Sequence, residues 1–231
     1  MKKILGMLGL ILLNNYTGVY VQAEESGAPL SAKSNVSVSF VGDDRTSTQP
    51  INPANPDEQA IPDPGDPKNK GTGASGPLSI DYVTNFNFGN QQISNVVKNY
   101  SPLAKQPRIQ VTDKRGVDSG WEVQARITQF KSTDGSATEL KGAKFTLVTS
   151  DNGIMSNSEN KSSLPSAPNT LTLTDSNQSV LKAKGDGDTG LGTWINNYDG
   201  QNTQLTVYPG TQKAKSYSAA ITWDLSNGPE S

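Results

Sequence analysis

Apolar and polar residues alternate with a period of two along much of this chain. Trp121, Val123, Ala125 and Ile127 fall on one side, with Glu122, Gln124, Arg126 and Thr128 on the other. Tyr217, Ala219, Ile221, Trp223 and Leu225 oppose Ser218, Ala220, Thr222 and Asp224 in the same way. Successive side chains of an extended backbone point to opposite faces, so each run predicts a half-buried strand. Shorter runs of the same kind are Val36-Val38-Phe40, Ile80-Tyr82, Ile109-Val111, Ala143-Phe145-Leu147, Leu171-Leu173, Val180-Leu181 and Leu205-Val207. Phe86 and Phe88 continue the second of these series. No long stretch has helical spacing, and a single helical turn around Ile93–Lys98 is the one helix expected. Turn signals at Asp134-Gly135, Asp151-Asn152-Gly153, Asp199-Gly200 and Pro209-Gly210 separate the runs. Many short strands at this spacing predict an all-β fold, an antiparallel β-sandwich-like single domain of Ig-like or jelly-roll-like type.

One stretch breaks the pattern. Residues 42–77 hold half of the fourteen prolines, with Asn52-Pro53, Asn55-Pro56, Asp63-Pro64 and Asp66-Pro67 in close succession. Proline lacks an N–H and fixes φ, so this segment is expected as an extended, solvated loop or linker inside the domain. The N-terminus is expected to be a signal peptide over residues 1–23. Lys2 and Lys3 precede ten apolar residues, Ile4 to Leu13, and Val21-Gln22-Ala23 ends in a small residue suited to cleavage. The apolar run is shorter than the roughly 20 residues that a membrane span needs, so no membrane span is expected after cleavage. No cysteine follows it, so no lipid anchor is expected, and Leu164-Pro165 lacks the Thr-Gly of a sortase signal. A chain exported in this way and kept at the cell would be held without a covalent bond.

Composition removes several chemistries. There is no cysteine and no histidine among the 231 residues, which excludes disulfides, thiolate nucleophiles, histidine-based catalytic triads and His-ligated zinc. A secreted chain without cysteine also fits a Gram-positive envelope, where disulfides are not the usual staple. The formal charge of −2 gives no basic patch for nucleic acid. Apolar residues make up 32%, so the core is lean for the chain's length. No cofactor and no metal is expected. Asp186 and Asp188, in the glycine-rich stretch before Trp194, have the acids of a calcium loop but lack its six or more oxygens. Turn chemistry is the alternative reading of that stretch.

Two segments share a motif of tryptophan, an acid and an aliphatic residue: Trp121-Glu122-Val123 and Trp223-Asp224-Leu225. With their flanks, YSAAITWDLSNGP at 217–229, GPLSIDYVTNFNFGN at 76–90, RIQVTDKRG at 108–116, ELKGAKFTL at 139–147 and KAKGDGDTGLGTW at 182–194, the chain resembles the WxL domain of Gram-positive surface proteins. The resemblance covers residues 28–231. The proximal motif reads WEV in place of WxL and keeps an aliphatic side chain at the third position.

The resemblance implies a secreted protein of the cell wall and cell surface that binds peptidoglycan non-covalently and is not an enzyme. It also implies a WxL-interacting surface protein and other WxL proteins as partners, in a multiprotein complex. An adhesin or carbohydrate-binding module for host or plant polymers is an alternative, and a secreted glycan hydrolase is a further one. The hydrolase would need two carboxylates about 5–10 Å apart across a cleft. The candidate binding residues are Trp121, Glu122, Val123, Trp223, Asp224 and Leu225, with Trp194 as an accessory aromatic. Two roles are open to the tryptophans. They lie in line with apolar stripes, which fits a core. Alternatively, their rings stack on sugars, with Glu122 and Asp224 as hydrogen-bond acceptors.

Overall fold

The computed structural model describes residues 33–43 and 45–228, so the expected signal peptide lies outside the described residues. Two compact units are distinguished, the first ending at Ser39 and the second running from Phe40. In the first, residues 33–39 have no regular structure and are exposed. The strand expected at Val36–Phe40 is therefore not formed.

The second unit is all-β, with no helix among its described residues. Its larger sheet contains β1 (Leu78–Val83), β2 (Lys98–Tyr100), β3 (Arg108–Asp113), β6 (Lys144–Met155), β7 (Thr170–Thr172), β9 (Gly192–Tyr198) and β10 (Gln204–Val207). The order is β1-β3-β9-β6-β10-β2, with β7 paired to β6. A second sheet has the order β12-β4-β8, from Ile221–Asn227, Trp121–Ile127 and Gln178–Ala183. The short strands β5 (Lys131–Ser132) and β11 (Tyr217–Ser218) pair with each other. Every strand pairing is antiparallel. The two main sheets enclose the larger apolar core, in which Ile109, Val111, Trp121, Val123, Leu181 and Trp194 are buried. The turn expected over Ile93–Lys98 is irregular chain leading into β2.

Three local features differ from strict alternation. In β1, Asp81 is an extra residue: Ile80 pairs with Val111, Tyr82 with Gln110 and Val83 with Ile109. A bulge of one residue moves all later side chains to the opposite face. Ile80 and Val83 thus both pack on the core, while Tyr82 turns to the other face and lies under Arg108, whose guanidinium carbon is 4.1 Å from the ring centroid. In β6, the expected turn at Asp151–Gly153 is an irregularity within one strand, with Asn152 at φ 52°. The run expected as one strand from Tyr217 to Leu225 is broken at Ala219-Ala220, where Thr128 exchanges bonds with Ala220 and the chain passes from β5 to β4 as partner.

The 42–77 segment is exposed at most of its positions but is fastened to the sheet at a few. It has almost no sheet pairing of its own, yet Pro53, Pro56, Asp63 and Asp66 are buried. The polar face of β3 supplies the fastening. Gln110 accepts from the Ile51 N–H at 2.8 Å and donates to the Gln49 carbonyl at 3.1 Å. Asp63 accepts from the backbone N–H groups of Lys105 and Gln106, and Asp66 from that of Asn85. Gly65 packs so closely that a Cβ there would lie 2.2 Å from the Leu103 carbonyl. A face of β3 that looks solvent-bound by its polarity is instead sealed, and all six residues of the strand are buried.

Beneath this strap lies the Asp81 carboxylate, 2% exposed. It accepts from Ser79 (2.6 Å), Thr112 (2.6 Å) and Gln110 (2.9 Å). Burial pushes its carboxyl above the usual value near 3.8, against the opposing effect of the three donors. A carboxyl whose pKa is raised on folding binds its proton more tightly in the folded chain. Its contribution to stability therefore grows as pH falls from neutral through the raised value and levels off once the unfolded chain also protonates, near 3.8. The difference in melting temperature between the wild type and Asp81→Asn is expected to shift in favour of the wild type from pH 7 towards about pH 4. Thermal melts of both proteins over that range check this, and a shift towards the variant would contradict it.

Candidate functional site

Strands β4 and β12 bring the two tryptophan motifs side by side. Trp223 lies opposite Ala125, Leu225 opposite Val123, and Asn227 opposite Trp121. Both tryptophans face the core from adjacent strands, about four residues or 13 Å apart along them. Their surroundings differ. Trp121 is fully buried, and its Nε1 donates to the Gly190 carbonyl at 3.0 Å. Val123 is fully buried too. Trp223 and Leu225 are only half-buried.

The seal over Trp121 comes from the glycine-rich stretch. After β8, residues 184–190 turn back so that Gly190 lies against the indole. Gly190 has φ +77°, and a Cβ there would stand 2.4 Å from the Ala183 Cβ and 3.0 Å from the indole nitrogen. Asp186 shapes the turn by accepting from the N–H groups of Asp188 and Thr189 and from the Thr189 hydroxyl. These bonds hold its carboxyl below the usual range. Asp188 accepts from Ser163. Among the described residues, no group of three acids or other metal-ligating side chains comes together. Trp194 is 3% exposed, and its Nε1 donates to the Leu191 carbonyl at 2.9 Å. It belongs to the core.

The acids of the two motifs point away from the tryptophans. Glu122 is 4% exposed, between Lys182 and Ser226 in the sheet register. Asp224 is exposed and pairs with Arg126, which also donates to Asn177. At the far end of β12, Arg115 forms an ion pair with Asp113 at 2.7 Å and also donates to the Gly120 carbonyl and Asn227. It thereby ties the last strand to the start of β4.

Trp223 opens onto a cleft of about 1110 Å³ between the sheets. Its floor carries Phe86, Phe88, Phe130, Phe145, Tyr217 and Trp223. The Phe86 and Phe145 rings are 4.8 Å apart and tilted, and Phe88 meets Phe145 edge-on at 5.9 Å. One wall is the irregular chain from Thr84 to Ile93; the other is residues 212–220. The Ser94 N–H donates to the Gln212 side chain at 2.8 Å and links the walls. The rim is rich in amides: Asn85, Asn87, Asn90, Gln91, Gln92 and Gln212. No Asp or Glu is among the described lining residues, and Lys213 and Lys215 are the only charged ones there. Lys215 is paired with Asp134 at 2.8 Å.

Of the candidate binding residues named from the sequence, only Trp223 contributes to this cleft. The floor aromatics and the amides do not stand out as a site from the strand pattern. The signal is present in Asn85-Phe86-Asn87-Phe88, where amides alternate with rings in a segment that forms no strand. An aromatic floor with an amide rim can stack on the apolar faces of sugars and bond their hydroxyl and acetamido groups.

Comparison with curated proteins and with solved structures finds no match to the chain. A family model, described as WxL domain surface cell wall-binding, matches residues 28–229. With nearly its whole length matched, the chain belongs to the WxL domain family of surface cell wall-binding proteins, and its place is the cell wall at the cell surface.

Proposed function

We propose that this chain attaches to the cell wall without a covalent bond, takes peptidoglycan as its ligand, and does so through the Trp223 cleft. The observation that carries this reading is the contrast between the motifs. The proximal tryptophan is sealed into the core, while the distal one opens into an acid-free aromatic cleft with an amide rim. Sugar rings present flat C–H faces to aromatic side chains, and their acetamido groups match primary amides in donors and acceptors. The chain is a binder and not a catalyst in this reading, since the cleft lacks paired carboxylates. A surface complex with a WxL-interacting protein and other WxL proteins extends it, supported by the family alone.

The test is sedimentation of the purified chain with isolated peptidoglycan sacculi, in parallel with incubation on soluble reporter glycosides. Retention in the pellet without release of the reporter is the expected result. Free chain in the supernatant contradicts the wall reading, and reporter turnover contradicts the non-enzymatic one.

A further inference from the structure

We propose that Lys213 makes the Trp223 cleft selective for an acetamido sugar that carries a peptide carboxylate, with the sugar on the aromatic floor and the carboxylate on the lysine ammonium. The inference rests on the wall reading given above and names which part of the wall the cleft takes.

The two lysines of the cleft are not equivalent. Lys215 is spent within the fold: it pairs with Asp134 at 2.8 Å and donates to Ser136 and Thr138. Lys213 is exposed, and among the described residues no hydrogen bond or ion pair reaches its ammonium. Its backbone, in contrast, is held on both sides. The Lys213 N–H donates to the Tyr217 hydroxyl at 3.1 Å, and its carbonyl accepts from the Lys215 N–H at 2.7 Å. The preceding Gln212 accepts from the Ser94 N–H and donates to the Tyr208 carbonyl at 3.2 Å. The cleft wall thus presents one unmatched positive charge from a fixed piece of backbone.

No acid lines the cleft to offset that charge. The field there favours an anion over a neutral ligand of the same shape. The anion fits a carboxylate. A single ammonium matches a single negative charge, and no arginine, whose fork grips phosphate through two bonds, lines the cleft. The rim amides Asn87, Asn90 and Gln92 have the donors and acceptors of peptide bonds. Peptidoglycan joins these elements in one unit, because its carboxylates sit on peptides that branch from an acetamido-sugar chain. A neutral acetamido-sugar polymer offers the floor its rings and leaves Lys213 unpaired.

The experiment is titration of the purified chain, followed by NMR, with N-acetylmuramyl-L-alanyl-D-isoglutamine, which has one free carboxylate, and with its neutral amide. The two probes differ at that one group. We expect the acid to bind about three- to fivefold more tightly at low salt, and rising salt to erase the difference. Lys213 is exposed and its ammonium unbonded, so Lys213→Met retains the fold. That variant is expected to bind both probes alike, and Lys213→Arg to keep the preference. Equal affinity of the wild type for the two probes overturns the proposal, as does binding of neither, or a preference that survives in Lys213→Met. Sedimentation with sacculi separates this failure from that of the wall reading. Retention on sacculi without discrimination between the probes sinks the carboxylate assignment alone, whereas a chain that sacculi do not retain sinks both. Retention that disappears once the phosphate polymers are stripped from the sacculi assigns the anion to phosphate and overturns the carboxylate.

Discussion

Trp121→Ala is expected to lower the unfolding free energy by about 3–5 kcal/mol, a large fraction of the ~5–15 kcal/mol available to a domain. Two effects add. The indole fills fully buried space beside Val123, Leu181 and Ala183 in the core cluster, and its loss leaves a cavity. Its Nε1 is also the donor to the Gly190 carbonyl, which would be left without that bond. Urea denaturation followed by circular dichroism measures the change. Trp223→Ala, at a half-buried position, is expected to cost less, in the range of about 1–3 kcal/mol. Equal costs at the two positions would contradict the division between a core motif and a cleft motif.

Gly190→Ala is expected to cost about 2–5 kcal/mol, through two separable terms. A non-glycine residue at φ +77° loses roughly 1–2 kcal/mol to backbone strain. The new methyl would stand 2.4 Å from the Ala183 Cβ, and relieving that overlap adds about 1–3 kcal/mol. Gly210 provides the control. It has nearly the same φ, +76°, and a methyl added there would meet no atom within 4 Å. Gly210→Ala therefore carries the backbone term alone. The difference between the two variants in urea unfolding measures how tightly the 184–190 turn closes over Trp121. No difference would mean that the turn yields and does not seal the indole.

The strands with one wet face are the legible part of this fold. Strand β4 reads directly from Trp121, Val123, Ala125 and Ile127, because the opposite face is polar. Strand β9 does not read as a strand. Trp194, Ile195, Asn196 and Tyr198 are all buried, so no alternation marks it. Its outer face is covered by the 42–77 strap, whose prolines and acids look solvated until Gln110, Asp63 and Asp66 are seen to fasten it. Asp81 misleads in a different way, since a one-residue bulge cannot be seen in a pattern of period two.

The site is legible only in part. The paired motifs stand out in the sequence, and the two segments, a hundred residues apart, form adjacent antiparallel strands. Which tryptophan meets solvent depends on what packs above each one. Gly190 covers Trp121, while Phe86 and Phe88 leave Trp223 at the side of an open cleft. Those contacts are long-range, and no local pattern in the chain encodes them. The segment at 36–40 is the converse case. Its pattern is clear, and no strand forms there.

The most direct measurement is the affinity of the chain for isolated sacculi when acids are introduced at the cleft rim. Asn90 and Gln92 are exposed rim residues, so the double variant Asn90→Asp/Gln92→Glu retains the fold while replacing two amides with isosteric carboxylates. The account predicts wall binding weakened by about tenfold or more, with an unchanged circular dichroism spectrum and melting temperature. Undiminished retention of that variant on sacculi would show that the wall is gripped elsewhere on the molecule.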